Sequence, residues 1–301
     1  MIPCRIAVLV ATVGAATAAR AQESWSLGEN FLPASTTAEV LAAYGGGAAA
    51  TAPQESGDET AELAKKLNNP VADLISVPFQ FNVDYGLGST YATRMTLNIQ
   101  PVIPFEINSD WNLITRTILP VITQDELVKG AGDNHGIGDV LQSFFLSPKE
   151  PMRGWIVGAG PAILWPTASD DALGSQKYGV GPTVVALKQQ EGWTYGVLAN
   201  HIWSVPSLGD NDRRGVNSTF LQPFGSFTTK TYTTFTVNTE STYNWEIDRW
   251  TVPVNFQVSQ MLKAAGHPIN VFAGLRTYLD SPQGGPNWGI RFGIIFLFPK
   301  H

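Results

Sequence analysis

At 301 residues with a net charge of −6, the chain has the length of one large domain and lacks the basic surplus that would attract nucleic acid. Charged residues make up only 15% of it, while 44% is hydrophobic and 11% aromatic, and beyond the first residues no apolar run is long enough for a membrane helix. The single cysteine, Cys4, lies so near the start that disulfides and thiol catalysis are excluded from the rest of the chain.

Met1 to Arg5 is a short basic start, Ile6 to Ala19 is apolar and Ala-rich, and Ala19-Arg20-Ala21 is a small-x-small cleavage site. Residues 1–21 therefore read as an export signal cut before Gln22, which removes Arg5, Arg20 and Cys4 and makes the chain more acidic. Residues 22–74 form an extension rich in Ala and Gly, with too little apolar surface for a core. Two short helices are predicted in it. Thr36 and Glu39 make a capping box ahead of Val40 to Ala43, and Ser56 and Glu59 make another ahead of Ala61 to Leu67, stopped by Asn68-Asn69-Pro70.

From Leu74 onward the pattern has period two. Ile75, Val77, Phe79, Phe81 and Val83 alternate with Ser76, Pro78, Gln80, Asn82 and Asp84. Met95, Leu97 and Ile99 alternate with Arg94, Thr96, Asn98 and Gln100, and Val252, Val254, Phe256 and Val258 alternate with Thr251, Asn255, Gln257 and Ser259. Twelve strands are predicted, near 75–85, 91–105, 111–123, 138–147, 154–165, 178–188, 193–203, 217–228, 232–245, 250–262, 268–279 and 287–298. Each has about the length of a membrane-spanning strand, and the number is even. The segments near 154–165, 178–188 and 193–203 have no clear alternation, so their inward faces stay unassigned.

The last strand is the most informative. Trp288, Ile290, Phe292, Ile294, Phe296 and Phe298 form an apolar ladder on one face, with Gly289, Arg291 and Gly293 on the other. Arg291, Gly293, Phe296 and Phe298 match the C-terminal assembly signature of outer-membrane barrels, whose closing strand pairs with the first and leaves no edge in lipid. The fold class is thus all-β, a transmembrane antiparallel barrel over residues 75–298 with a short, partly helical N-terminal extension. With the N-terminus periplasmic, the longest connections, near 124–137, 166–177 and 204–216, all fall on the outer side. The extension is expected in the periplasm, the alternative being a plug in the barrel mouth. Trp111, Trp155, Trp165, Trp193, Trp203, Tyr243, Trp245, Trp250 and Trp288 cluster at strand ends and read as interfacial girdles.

Four blocks, at 63–82 (LAKKLNNPVADLISVPFQFN), 98–112 (NIQPVIPFEINSDWN), 136–149 (GIGDVLQSFFLSPK) and 199–203 (ANHIW), carry a family likeness. Together they resemble the bacterial outer-membrane family named for a role in the meta-pathway of phenol degradation, whose members are often labelled only as transporters. The likeness runs from about Leu63 to the C-terminus. It implies an outer-membrane barrel that passes aromatic or other apolar compounds, and it brings no catalytic or ligand residues with it.

The period-two pattern turns Arg94, Arg116, Arg276 and Arg291 to the lumen from strands two, three, eleven and twelve, with Asp84 among them. Asn238, Glu240, Asn255 and Gln257 continue that wall on strands nine and ten. Charges in a membrane-spanning segment face water or each other, so these residues mark the pathway, or else a closed, salt-bridged lumen. His201, beside Asn200 and Ser204, is the one rim arrangement that suggests catalysis, and Asp133 to Asp139, Asp170-Asp171 and Asp210 to Asp212 offer oxygen ligands without a complete calcium spacing. The resulting reading is a channel for small apolar or aromatic molecules, with no enzyme activity, cofactor or metal. A narrow porin for polar or anionic solutes is the alternative, and a structural barrel or rim enzyme stands behind it. The expected partners are outer-membrane lipid, the barrel-assembly machinery and a small-molecule solute.

Overall fold

The computed structural model describes residues 55–209, 213–264 and 266–299. The predicted signal segment and the first predicted helix lie outside them. The chain forms a closed antiparallel barrel of twelve strands: β1 (Ile75–Leu87), β2 (Ala92–Ile99 and Val102–Glu106), β3 (Trp111–Gln124), β4 (Asn134–Ile137 and Val140–Pro148), β5 (Ile156–Trp165), β6 (Lys177–Gln190), β7 (Trp193–Gly209), β8 (Asn217–Thr228), β9 (Thr233–Thr239 and Ser241–Asn244), β10 (Arg249–Ala264), β11 (His267–Asp280) and β12 (Trp288–Phe298). Each strand pairs with the next, and β12 returns to β1 from Tyr85↔Trp288 to Ile75↔Phe298, so no edge is left open.

Three strands are interrupted where the chemistry of the ladder fails. Pro101 has no N–H to donate, and β2 resumes at Val102. Gly138 steps out of β4 and donates its N–H to the Pro120 carbonyl at 2.8 Å. Glu240 breaks β9, its N–H reaching the carbonyl of Pro253 at 3.4 Å. The connections lie at two ends, with the two longest, 125–133 and 166–176, at the same one. At one end lie 88–91, 125–133, 166–176, 210–216, 245–248 and 281–287, and at the other 107–110, 149–155, 191–192, 229–232 and 265–266. These are called the loop end and the turn end. The tightest turn is Glu191-Gly192, with φ of 51° and 83°, the pair of positive values that suits a two-residue hairpin.

Two boundaries differ from the sequence reading. β4 begins at Asn134, because Gln124 to Val121 of β3 supply pairing partners for a segment whose Asp and Gly content reads as loop. β7 extends past 203 to Gly209, held in part by the Ser204 N–H on the Val216 carbonyl at 2.7 Å.

The outside of the barrel is apolar, with Phe256 52%, Val258 47% and Leu275 62% exposed. Aromatic rings knit the closing seam on that outer face: Phe81 stacks on Phe292 at 5.1 Å, Tyr85 on Trp288 at 4.6 Å, and Phe79 meets Phe296 edge-on at 5.9 Å. At the turn end Trp193 packs on Phe227 and Trp155 on Tyr195, and at the loop end Trp165 packs on Tyr178 and Tyr243 on both Trp245 and Trp250. The two predicted girdles thus correspond to two bands of half-exposed rings.

The extension does not stand apart from the barrel. Helix α1 (Glu55–Leu67) starts at Glu55, one residue ahead of the predicted cap Ser56, and ends where the sequence predicts. Leu63, Ala64, Ala72 and Leu74 pack with Met261 and Leu297 at the turn-end mouth. Asn68 donates to the Ala64 carbonyl at 2.9 Å and to Thr228 Oγ1 at 3.2 Å, while Gln189 donates to the Lys65 carbonyl at 2.8 Å. Beyond it Val71 enters the barrel among Ile114, Phe145, Val185 and Leu187. Gly158 makes room for it: a Cβ there would come within 3.1 Å of Val71 Cγ1. The physical reason for this placement is that Leu63, Val71 and Leu74 have apolar partners only inside the mouth.

Candidate functional site

The interior has two unlike walls. From β3 to β8 it is apolar, with Ile118, Leu141, Ala162, Leu164, Ile202 and Val216 in one cluster and Ile114, Phe145, Val185, Leu187, Leu198 and Phe220 in another. This explains the strands without legible alternation. On β5, β6 and β7 both faces are largely apolar, and the structure turns Leu164, Val185 and Leu198 inward beside the polar Thr183, Thr194 and Asn200, with Trp165, Val184 and Val197 outward.

From β9 through β12 to β2, and on to Arg116 of β3, the wall is polar and charged. All nine predicted lumen residues face it from inside. Asp84, Arg94, Glu240, Asn255, Arg276 and Arg291 are buried, and Arg116, Asn238 and Gln257 are partly so. Backbone register places one rung of them side by side: Asn238 opposite Asn255, Asn255 opposite Arg276, Arg276 opposite Gly289, Gly289 opposite Asp84, and Asp84 opposite Arg94. Gly289 is required in that row, since a Cβ there would lie 2.6 Å from an Asp84 carboxylate oxygen.

Glu240 is the hub. Arg291 Nη1 and Nη2 donate to its two oxygens at 2.9 and 2.6 Å, and Arg291 Nε donates to Asn82 at 2.7 Å. Such a two-pronged pair holds both planes fixed. Arg276 lies 3.7 Å from Glu240 and 3.6 Å from Asp84, beyond hydrogen-bond reach. Tyr278, which the sequence did not single out, donates its hydroxyl to Asp84 at 2.8 Å and carries the Arg276 guanidinium 5.2 Å over its ring. Arg94 bonds to Gln124 through Nε at 2.8 Å, and Arg116 to Gln100 through Nη2 at 2.8 Å. The alternation already placed Gln100 on the polar face, whereas Gln124, at the end of β3, was missed.

The free space inside is a stack of chambers. The one toward the loop end, about 800 Å³ and partly open to solvent, lies between Asp84, Arg94 and Arg276 on one side and Ile118, Leu141 and Leu164 on the other. A waist of about 440 Å³ shares Asn98, Ile118 and Leu141 with it and adds Arg116, Glu240 and Phe220. The third, about 1090 Å³, shares Arg116 and Gln100 with the waist and reaches residues 66–70 of the extension. The interior is therefore charged and apolar at the loop end, has Glu240 beside the smallest chamber, and is bordered at the turn end by residues 66–70.

At the loop end a folded connection covers the first chamber. Asp139 accepts four hydrogen bonds from it: Ser175 N at 2.5 Å, Ser175 Oγ at 2.6 Å, Gln176 N at 3.1 Å and Ala168 N at 3.1 Å. Arg213 clasps it from the next loop through Asp171 and the Gly174 carbonyl, at 2.5 and 2.8 Å. Leu173 of this segment is 1% exposed and lines the chamber. The acids considered for calcium are thus engaged as loop acceptors, Asp133 for Glu126 N–H and Asp170 for Ala172 N–H. Asp210 and Asp212 lie outside the described residues, among which no group of three or more His, Cys, Asp or Glu side chains could hold a metal ion. His201 shares a hydrogen bond of 2.7 Å with Thr219 and packs against Trp203 at 4.0 Å.

Of the assembly-signature residues, Phe296 and Phe298 point outward, 39% and 48% exposed, while Arg291 and Gly293 point inward. No protein-family model matches the chain, and no curated protein matches it. Among solved structures it is similar to an outer-membrane channel from Pseudomonas putida F1, at 16% identity and a TM-score of 0.57, over 75% of this chain and 94% of that one. It is also similar, at TM-scores of 0.42 and 0.34 and identities of 10% and 8%, to the β domain of the Bordetella autotransporter BrkA and to a porin. Those two alignments cover 73% and 75% of this chain and 98% and 99% of the others. The first of these likenesses agrees with the barrel built above from residues and register: a closed wall of twelve antiparallel strands.

Proposed function

We propose that this protein is an outer-membrane channel that passes small apolar or aromatic compounds. The observation that carries the reading is the apolar interior wall of β3–β8, beside an outer surface equally apolar. The outward band suits acyl chains, and two bands of aromatic rings suit the headgroup levels. The interior wall has a different purpose: a pore for sugars or salts gains nothing from Leu141, Leu164 and Ile202 in its lumen, whereas an apolar solute needs them. Export by cleavage after Ala21, assembly through the C-terminal signature, a location in the outer membrane and membership of the phenol-degradation family belong to the same proposal. The likeness in fold to the outer-membrane channel of Pseudomonas putida F1 supports it.

A cell-uptake assay tests this reading. Cells with the barrel should accumulate a labelled apolar aromatic faster than cells without it, and Leu141→Asn with Leu164→Asn should abolish the difference while folded protein persists. Uptake equal with and without the barrel would refute it. The second reading, a narrow porin for anions, draws on the four arginines of the polar wall against Asp84 and Glu240. Planar-bilayer recordings decide it: steady anion-selective current in salt alone favours the porin.

A further inference from the structure

We propose that the loop-end chamber binds singly charged anionic amphiphiles, a carboxylate head on an aromatic ring or short alkyl body, with the head at Arg276 and the body on the wall of Ile118, Leu141 and Leu164. The inference rests on the channel reading above and narrows its solute class.

Arg276 is 4% exposed and lines the chamber, yet its Nε has no hydrogen-bond partner. Its two acidic neighbours are committed elsewhere. Both Glu240 oxygens are taken by Arg291, and an Asp84 oxygen receives the Tyr278 hydroxyl. A buried guanidinium with an unmet donor is costly, and a planar carboxylate is the group whose geometry meets it. The wall as a whole has the same bias. Arg94, Arg116, Arg276 and Arg291 outnumber the acids Asp84, Glu240 and Asp139 along these chambers, so one added negative charge lowers the excess. Asp139 also borders the chamber, but four loop donors already satisfy its carboxylate.

Across the chamber the chemistry reverses. Ile118, Pro120, Ile122, Leu141, Leu164 and Leu173 offer no side-chain donor or acceptor. A compact polar anion would leave that wall facing ordered water, and a neutral hydrocarbon would leave Arg276 unmet. A molecule with one charged end and one apolar end satisfies both sides at once.

The test uses the full-length barrel in a neutral detergent and four probes: 4-butylbenzoate, decanoate, 4-butylbenzyl alcohol and 4-butylbenzylamine. Binding is measured by calorimetry and by block of single-channel current. The acids should bind about tenfold or more tightly than the alcohol, and the amine least of all. A preference for 4-butylbenzoate assigns the site to aromatic acids and a preference for decanoate to fatty acids; either supports the proposal. Arg276→Gln should remove the advantage of the acids and leave the alcohol unchanged, whereas Arg276→Lys should keep part of it. Equal affinity for acid, alcohol and amine in the unaltered protein overturns the proposal even where Arg276→Gln does not fold. In that event uptake of the neutral alcohol by cells still upholds the channel reading, and no uptake of any probe rejects that reading separately.

Discussion

Arg291 and Glu240, 51 residues apart in the chain, meet inside the barrel through two nearly parallel hydrogen bonds of 2.9 and 2.6 Å. The pair joins β12 to the break in β9 across two intervening strands, so it crosses the lumen side of the wall where no backbone bond reaches. Glu240→Gln removes the one acid that Arg291 grips and Arg276 approaches. The expected loss is about 3–5 kcal/mol, the cost of leaving a buried charge unpaired. Urea unfolding in detergent should show it, and Glu240→Gln combined with Arg291→Met should recover much of the difference.

The stacked rings of Phe81 and Phe292 make a prediction about closure. A double-mutant cycle on Phe81→Leu and Phe292→Leu should give a coupling of about 0.5–1.5 kcal/mol. Phe298→Ala, at the far end of the same seam, should lower the yield of folded, heat-modifiable protein in cells more than it lowers the stability of protein already folded. Equal losses in both would separate Phe298 from assembly.

The connection 166–176 depends on one carboxylate. Asp139→Ala leaves its donors on Ala168, Ser175 and Gln176 without their acceptor, so the segment should become cleavable by protease and single-channel conductance should rise. Arg213→Gln, which removes only the outer clasp, should do the same to a smaller extent.

Much of this could be read in the sequence, and the reason is physical. On β1, β2, β10 and β12 the two faces differ in polarity, so period two appears directly in residues such as Phe81 and Asn82 or Phe292 and Arg291. The structure turns Asp84, Arg94 and Arg291 inward on that same alternation. On β5 to β7 the interior face is also apolar, and alternation between Val184 and Val185 conveys nothing. That illegible stretch is the apolar wall on which the functional reading now rests. The place of the extension, periplasm or barrel mouth, stayed open for a different cause: Leu63, Val71 and Leu74 are too few to form a core, and only the closed barrel shows what they pack against.

A fourth prediction concerns that segment. Val71 is 5% exposed among apolar side chains, and Val71→Asp would bury a carboxylate there. The segment should leave the mouth, with larger single-channel conductance and new protease sites between Asn68 and Ala72. Val71→Leu should leave both unchanged.

The packing of α1 draws on both ends of the chain: Leu63 and Ala64 belong to the helix, Leu74 lies at the threshold of β1, Met261 on β10 and Leu297 on β12. That apolar seat is complete only when the final strand, which carries Leu297, has docked on the first. The N-terminal residues emerge earliest during synthesis yet must wait for the C-terminal ones to arrive. The stopper therefore reports on completion: its packing on both Met261 and Leu297 is whole only in the closed barrel.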